Sequence, residues 1–246
     1  MKNFIENLAK NLTFALEFAA VIFAMFLIAY LFEKLAKKKH PTQERILTTR
    51  KLAVTGMFSA LALLLHLFDF PIGFAPFFYK LDFSELPILI GTFAFGPVSG
   101  VMMEFLKVLL KLCIKGTSTA FVGDLANFVI GCSMILPASI IYAFGKTKKS
   151  AILGCVVGTL SMTILGTAFN AIYLIPAFSV LFGMPIESIL EMGAKVNPLV
   201  SSESLFSFVV ACVAPMNLIK GGVASLITML VYKPLSPVLK TGHRSR

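Results

Sequence analysis

Between residues 12 and 232 the chain is a succession of apolar stretches, most of them on the scale of the ~20 residues that cross a hydrocarbon core as a helix. They fall near 12–35, 50–69, 84–96, 97–115, 121–144, 150–176 and 203–232. Long uninterrupted stretches of this kind satisfy their backbone groups in lipid by becoming helices, so the reading is an all-α integral membrane protein. A hydrophobic content of 57% and a mean hydropathy of +0.88 agree with it. The third stretch is short, bounded by Pro87 and by the FGPVSG turn, where Gly96, Pro97 and Gly100 punctuate a helix pair. It crosses part of the bilayer, or all of it with help from the loop before it.

The first stretch is too long for a signal-peptide core and ends in KLAKKK, which reads as a retained membrane helix. The polar connector KKKHPTQERILTTR follows it. Three units result: an extra N-terminal membrane helix and basic connector over 1–49, a six-helix membrane domain over 50–232, and a basic tail over 233–246.

The net charge of +10 is gathered at segment ends, a membrane-topology pattern rather than a nucleic-acid surface. Lys34, Lys37, Lys38, Lys39, Arg45, Arg50 and Lys51 lie between the first two stretches. Lys146, Lys148 and Lys149 lie between the fifth and sixth, and Lys233, Lys240, Arg244 and Arg246 follow the last. Alternating spans put all three clusters on one side, which the positive-inside rule makes cytoplasmic, together with the C-terminus. The N-terminus and the loops 70–83, 115–120 and 177–202 then face outside. The last loop is long enough for a lid or binding element, with disorder as the alternative.

Polar residues within the apolar stretches carry the functional information. In APMNLIKGG, Asn217 and Lys220 share a helix face at a spacing of three, and Gly221 and Gly222 permit close backbone approach. A buried ammonium costs roughly 2.5 to 3.5 kcal/mol at the centre of a membrane helix, so Lys220 faces protein, water or ligand rather than lipid. Asn170, near Tyr173 and Pro176, is either helix glue or a ligand contact. In YKLDFSELP, Asp82 and Ser84 compete to cap the third helix. In KGTSTAFVGDLANF, Thr117, Ser118 and Thr119 can cap the next helix while offering hydroxyls, and Asp124 and Asn127 share a face. Glu104, Lys107 and Lys111 form an ion-paired stripe by spacing, whereas His66 has no ligand-spaced partner and reads as packing or interfacial. Cys113, Cys132, Cys155 and Cys212 lack metal-ligand spacing, so neither a metal nor another cofactor is expected. No HExxH, GxSxG or Walker motif is present, which argues against an enzyme and requires any ATP-driven work to come from another chain. Amides, hydroxyls, one Lys and one or two carboxylates suit a neutral polar ring bearing a polyol.

Through KLDFSELPILIGTFAFGPVSG, KGTSTAFVGDLANF and APMNLIKG, taken in this order, residues 50–232 resemble the substrate-binding S components of energy-coupling factor (ECF) vitamin transporters. The resemblance is strongest to the riboflavin-specific RibU group. It implies a six-helix S-component core that captures riboflavin near the outer side, closed by the loop between its first two helices. It also implies delivery with a transmembrane coupling protein and two cytosolic ATPases. By that resemblance Asn170, Asn217 and Lys220 are the foremost ligand contacts, followed by Asp82, Thr117, Asp124 and Asn127. Ala53, Gly56 and Ala60 form a small-residue face of the kind that lets a coupling helix approach. Internal packing is the other reading of that face. The alternatives are an S component for another vitamin or flavin, a membrane enzyme acting on a lipid through Glu104, Asp124 and Lys220, and a structural assembly protein.

Overall fold

The computed structural model describes residues 12–41, 45–117, 119 and 121–240. Ser118, expected among the capping hydroxyls, and Arg244 and Arg246 of the basic tail lie outside the described residues. Helices account for nearly all of the rest: α1 (Leu12–Lys39), α2 (Thr49–Leu67), α3 (Glu85–Phe95), α4 (Pro97–Lys115) and α5 (Val122–Gly145). Next comes α6 (Lys148–Phe169), continued through a π-turn at Asn170–Leu174 into α7 (Ile175–Phe182). Then α8 (Ile186–Val196) and α9 (Leu205–Phe208) follow, the latter joined by a second π-turn at Val209–Val213 to α10 (Ala214–Lys240).

Local chemistry sets the boundaries. Thr48 caps α2 by accepting from Lys51 N–H at 3.3 Å, and Thr147 with Ser150 forms a capping box at the start of α6. Gly96 divides α3 from α4 at φ +100°, a conformation that favours glycine, and Pro97 opens α4 where its missing N–H costs nothing. Each π-turn runs out two residues before a proline, Pro176 or Pro215. A proline cannot donate to the carbonyl four residues back and crowds it, so the ladder widens there.

Phe18–Lys39, Thr49–Leu67, Val122–Gly145, Lys148–Phe182 and Leu205–Val231 are each long and apolar enough to cross a membrane. The two remaining expected spans differ for physical reasons. At 11 residues α3 is about 16 Å long, half a hydrocarbon core. Helix α4 is long enough but carries Glu104, Lys107, Lys111 and Lys115. Its charges are tolerated because α1, α2, α3 and α5 pack around it, leaving Glu104 and Lys107 with no exposed surface.

The stretch 177–202, expected as a loop, is mostly helical. Helix α7 runs on to Phe182, and α8 turns Ile189, Leu190 and Gly193 inward. The other long connection, residues 68–84, carries a small antiparallel pairing of β1 (Phe70–Pro71) with β2 (Lys80–Leu81). Ala75, Tyr79 and Leu81 from this loop and Ile189, Leu190 and Val200 from the second form one buried cluster with Phe208. Both connections therefore close the same end of the bundle. At the opposite end Lys39 lies over the Phe144 ring and His40 Nε2 reaches the Phe144 carbonyl at 2.9 Å, bringing the first two basic clusters together.

Helix α1 docks on α4 and α5 through Ala29, Glu33 and Ala36. The Glu33 carboxylate accepts from Val98 N–H at 3.0 Å, capping an α4 that has no side-chain cap of its own. A Cβ at Gly96 would meet that carboxylate at 2.9 Å.

Candidate functional site

Beneath the two loops, polar side chains from six helices and the first loop meet in the otherwise apolar bundle. Lys220 Nζ on α10 lies 3.0 Å from Asp82 Oδ2 and 2.9 Å from Glu85 Oε2. His66 Nδ1, at the end of α2, is 3.3 Å from the same Asp82 oxygen. The other Asp82 oxygen accepts from Ser84 N–H at 2.8 Å. Asp82 thus shapes the entry to α3, and Ser84 supplies no side-chain cap. Burial raises the Asp82 carboxyl, but the Lys220 ammonium and then the His66 ring outweigh it and hold the group well below its ordinary value.

A second lysine extends the cluster. Lys107 Nζ contacts Glu104 at 2.7 Å, Glu85 at 3.2 Å and the Ser84 hydroxyl at 3.1 Å. One turn further along α4, Lys111 pairs with Asp124 of α5 at 2.6 Å. The stripe expected from spacing alone therefore pairs within α4 only between Glu104 and Lys107, and its other bonds run to α3, α5 and the first loop. His66, read from sequence as packing, belongs to the charged cluster.

Next to the charges lies a set of amides. Tyr79 O–H donates to Asn170 Oδ1 at 2.8 Å, and Asn170 Nδ2 donates to the Gly166 carbonyl at 2.8 Å. Gly166 also faces α10: a Cβ there would stand 2.7 Å from Asn217 Nδ2. Asn170 and Asn217 therefore meet at one glycine, and Lys220 follows Asn217 by a turn. Among the described residues, Asn217 Nδ2, Asn127 Oδ1, Asp124 Oδ2, Thr167 Oγ1 and Glu104 Oε1 are buried atoms without a hydrogen-bond partner. Thr117 turns its hydroxyl oxygen to Phe121 N–H at 2.9 Å and so holds the start of α5. Gly221 brings α10 against Thr159 of α6, whereas Gly222 faces open space.

The structure thus joins Asp82 to Lys220 and Asn170 to Asn217, and it links Asp124 to the cluster through α4. Sequence reasoning passed over Glu85 and Tyr79 as site residues, although both lie in the YKLDFSELP motif. Two grooves on the bundle surface lie elsewhere. One of about 660 Å³ is lined by Met25, Val129, Leu136, Leu165 and Tyr173, and a smaller one of about 330 Å³ by Thr163, Thr167, Phe206 and Val210. Neither is lined by Asp82, Asn217 or Lys220. Both are apolar furrows between membrane helices. Among the described residues no group of three His, Cys, Asp or Glu side chains could hold a metal ion.

On α2, Ala53, Gly56 and Ala60 are exposed, and a Cβ at Gly56 would meet nothing within 4 Å. Among the described residues nothing packs over Gly56, and α1 docks on α4 and α5 instead.

Residues 50–232 match the family described as "ECF transporter, substrate-specific component". The chain is 31% identical over 189 residues to the riboflavin transporter FmnP of Bacillus subtilis, covering 76% of this chain and 93% of that one. It is 34% identical over 191 residues to the riboflavin transporter RibU of Staphylococcus aureus, covering 78% and 93%. It is also similar to a solved S component of a bacterial ECF transporter, with a TM-score of 0.60, 34% identity, and 77% and 97% coverage. Helix α1 precedes the matched residues.

Proposed function

Since the chain belongs to the substrate-specific components of ECF transporters, we propose that it binds riboflavin outside the cell and delivers it across the membrane. In this reading it is a transport subunit of the cell membrane rather than an enzyme, and the lipid-enzyme alternative falls away with the family. The observation that carries the choice of vitamin is the identity of 31% and 34% to riboflavin transporters over 93% of their length.

The site chemistry supports the same ligand. The pyrimidine edge of a flavin presents two carbonyls flanking an N–H. Asn217 Nδ2 offers a free donor and Asn127 Oδ1 a free acceptor, the complementary pair. Leaving both unmade in a membrane core costs on the order of 1–3 kcal/mol each, which a ligand recovers on binding. Asn170 and Lys220 flank Asn217, and Thr117, Asp82 and Asp124 complete the polar wall. Aromatic residues of the closing cluster, Phe78 and Tyr79 among them, supply apolar area for the ring system.

Delivery requires a coupling module, for which we assign a transmembrane coupling protein and two cytosolic ATPases. The open Ala53, Gly56 and Ala60 face is suited to close approach by a helix of the coupling protein. Residues 50–232 form the transporting core, with 1–49 and the basic tail 233–246 as additions to it and the C-terminus cytoplasmic.

The test of the ligand is direct. Purified protein should quench riboflavin fluorescence saturably at one site per chain, and protein that leaves the fluorescence unchanged rules riboflavin out. Gly56→Leu should leave that quenching intact and abolish uptake in cells supplied with the coupling module, whereas normal uptake would remove the α2 face from the coupling surface.

A further inference from the structure

One buried amide ties the two site-end loops to the last membrane helix. Asn197 closes the C-terminal end of α8, its backbone N–H donating to the Gly193 carbonyl at 2.9 Å. Its side-chain Nδ2 donates to the Phe74 carbonyl of the first loop at 3.2 Å and to the Ala211 carbonyl at 3.1 Å. Its Oδ1 accepts from Leu199 N–H at 3.1 Å, and the Cys212 thiol donates to the same Phe74 carbonyl at 3.2 Å. Three segments distant in sequence thus converge on a single side chain that is 6% exposed.

The Ala211 carbonyl is available for a reason written in the chain. In an unbroken helix it would accept from the N–H of residue 215, but residue 215 is proline. The π-turn at Val209–Val213 widens the helix at this point, and Asn197 takes up the acceptor. A primary amide is suited to the position because its two N–H groups serve two carbonyls at once. Leucine would fill the volume, leave the Ala211 carbonyl without the amide and leave the Phe74 carbonyl with the weak thiol donor alone, and aspartate would set a negative oxygen against them.

We propose that Asn197 is a positioning residue that makes residues 68–84 and 183–204 open and close as one lid, so that this junction sets how long a ligand stays. The ligand part of this inference rests on the riboflavin reading above. The first loop carries Tyr79, bonded to Asn170, and Asp82, bonded to Lys220, so the loop cannot lift without loosening the polar centre. Asn197 contacts neither pair. It acts by fixing the loop that holds them, while the shared cluster of Tyr79, Leu81, Ile189 and Leu190 makes the two loops move together.

Amide hydrogen exchange by mass spectrometry on the ligand-free full chain in nanodiscs tests the junction without any ligand. In the wild type the two loops should share one opening rate, and two separate rates would overturn the proposal. In Asn197→Leu, with Asn197→Ser as a milder variant, both loops should exchange about tenfold faster together while α2 and α5 keep their protection. Loosening of one loop alone would contradict the coupling. Riboflavin dissociation, followed by fluorescence recovery, should accelerate by about the same factor in both variants. An unchanged dissociation rate beside faster loop exchange would remove Asn197 from control of the ligand. Failure of the wild type to bind riboflavin would instead count against the ligand assignment and leave the exchange result to decide the junction.

Discussion

Asn217 and Lys220 stand one turn apart on α10, yet they belong to polar regions of opposite character. Around Lys220 and Lys107, three carboxylates and a hydroxyl take up the two ammonium groups, and an imidazole adds a contact to one of those carboxylates. Around Asn217, amide donors and acceptors point into the same bundle with atoms left over. The difference teaches which polar groups serve the fold and which await a partner. A charge inside a membrane protein is tolerated only when paired, so each ammonium has its carboxylate before ligand arrives, even though single oxygens of Glu104 and Asp124 bond nothing among the described residues. An orphaned amide costs less and can stay unsatisfied until a ligand supplies its complement. Lys220 lies on the border, paired with Asp82 and Glu85 and one turn from Asn217, and under the riboflavin proposal it serves both.

The largest effect expected from this contrast is at its structural pole. Lys107→Ala would leave Glu85 and Glu104 buried beside each other without their shared cation, at a cost of roughly 3–5 kcal/mol. Thermal melting of the ligand-free protein, or its yield from membranes, should show this loss. A melting temperature equal to wild type would mean that the cluster is not structural.

Lys220→Ala should act on both sides of the border. Asp82 keeps His66 and Glu85 keeps Lys107, so the loss of stability should be smaller than at Lys107, while riboflavin affinity falls tenfold or more, a change of at least ~1.4 kcal/mol. Unchanged affinity would place Lys220 wholly within the fold. Asn217→Ala should invert the pattern, costing binding on the order of 1–3 kcal/mol and stability hardly at all, because its Nδ2 bonds nothing among the described residues.

The smallest effect concerns pH. The folded Asp82 carboxyl sits well below its ordinary value, so its contribution to stability is fully present above the unfolded value of about 3.9. It is lost only as pH falls through the lower folded value. Melting temperatures should therefore carry no Asp82 contribution to any change between about pH 5 and 8. Asp82→Asn, which removes the titrating group, should flatten the acid limb below about pH 4; an acid limb identical to wild type would contradict the assignment.

Much of this architecture can be read from residue spacing, because lipid permits few alternatives to helices. The ends of α2, α4 and α5 follow from Thr48, the Gly96–Pro97 pair and the hydroxyls before Val122, all local signals. The helix α8 was legible too, since Ile186, Ile189, Leu190 and Gly193 recur with helical period inside what read as a loop. The π-turns had a partial signal in Pro176 and Pro215, although a proline alone does not say whether a helix will kink, end or widen. His66 was not legible as a member of the charged cluster, because its partner Asp82 is brought to it by the whole first loop. Spacing likewise showed the Glu104–Lys107 pair and could not show Glu85 reaching Lys107 from another helix. Gly166 gave no sign that it marks the meeting of Asn170 with Asn217, which only the packing of α6 on α10 creates.

The central claim, that the amide region binds the ligand while the ion region holds the fold, is most directly tested by riboflavin fluorescence titration of wild type beside Asn217→Ala, each with a ligand-free melt. The account predicts saturable quenching by the wild type and at least a tenfold weaker affinity in the variant, with the two melts superimposed. Equal affinities, or a variant that melts as early as Lys107→Ala, would contradict it.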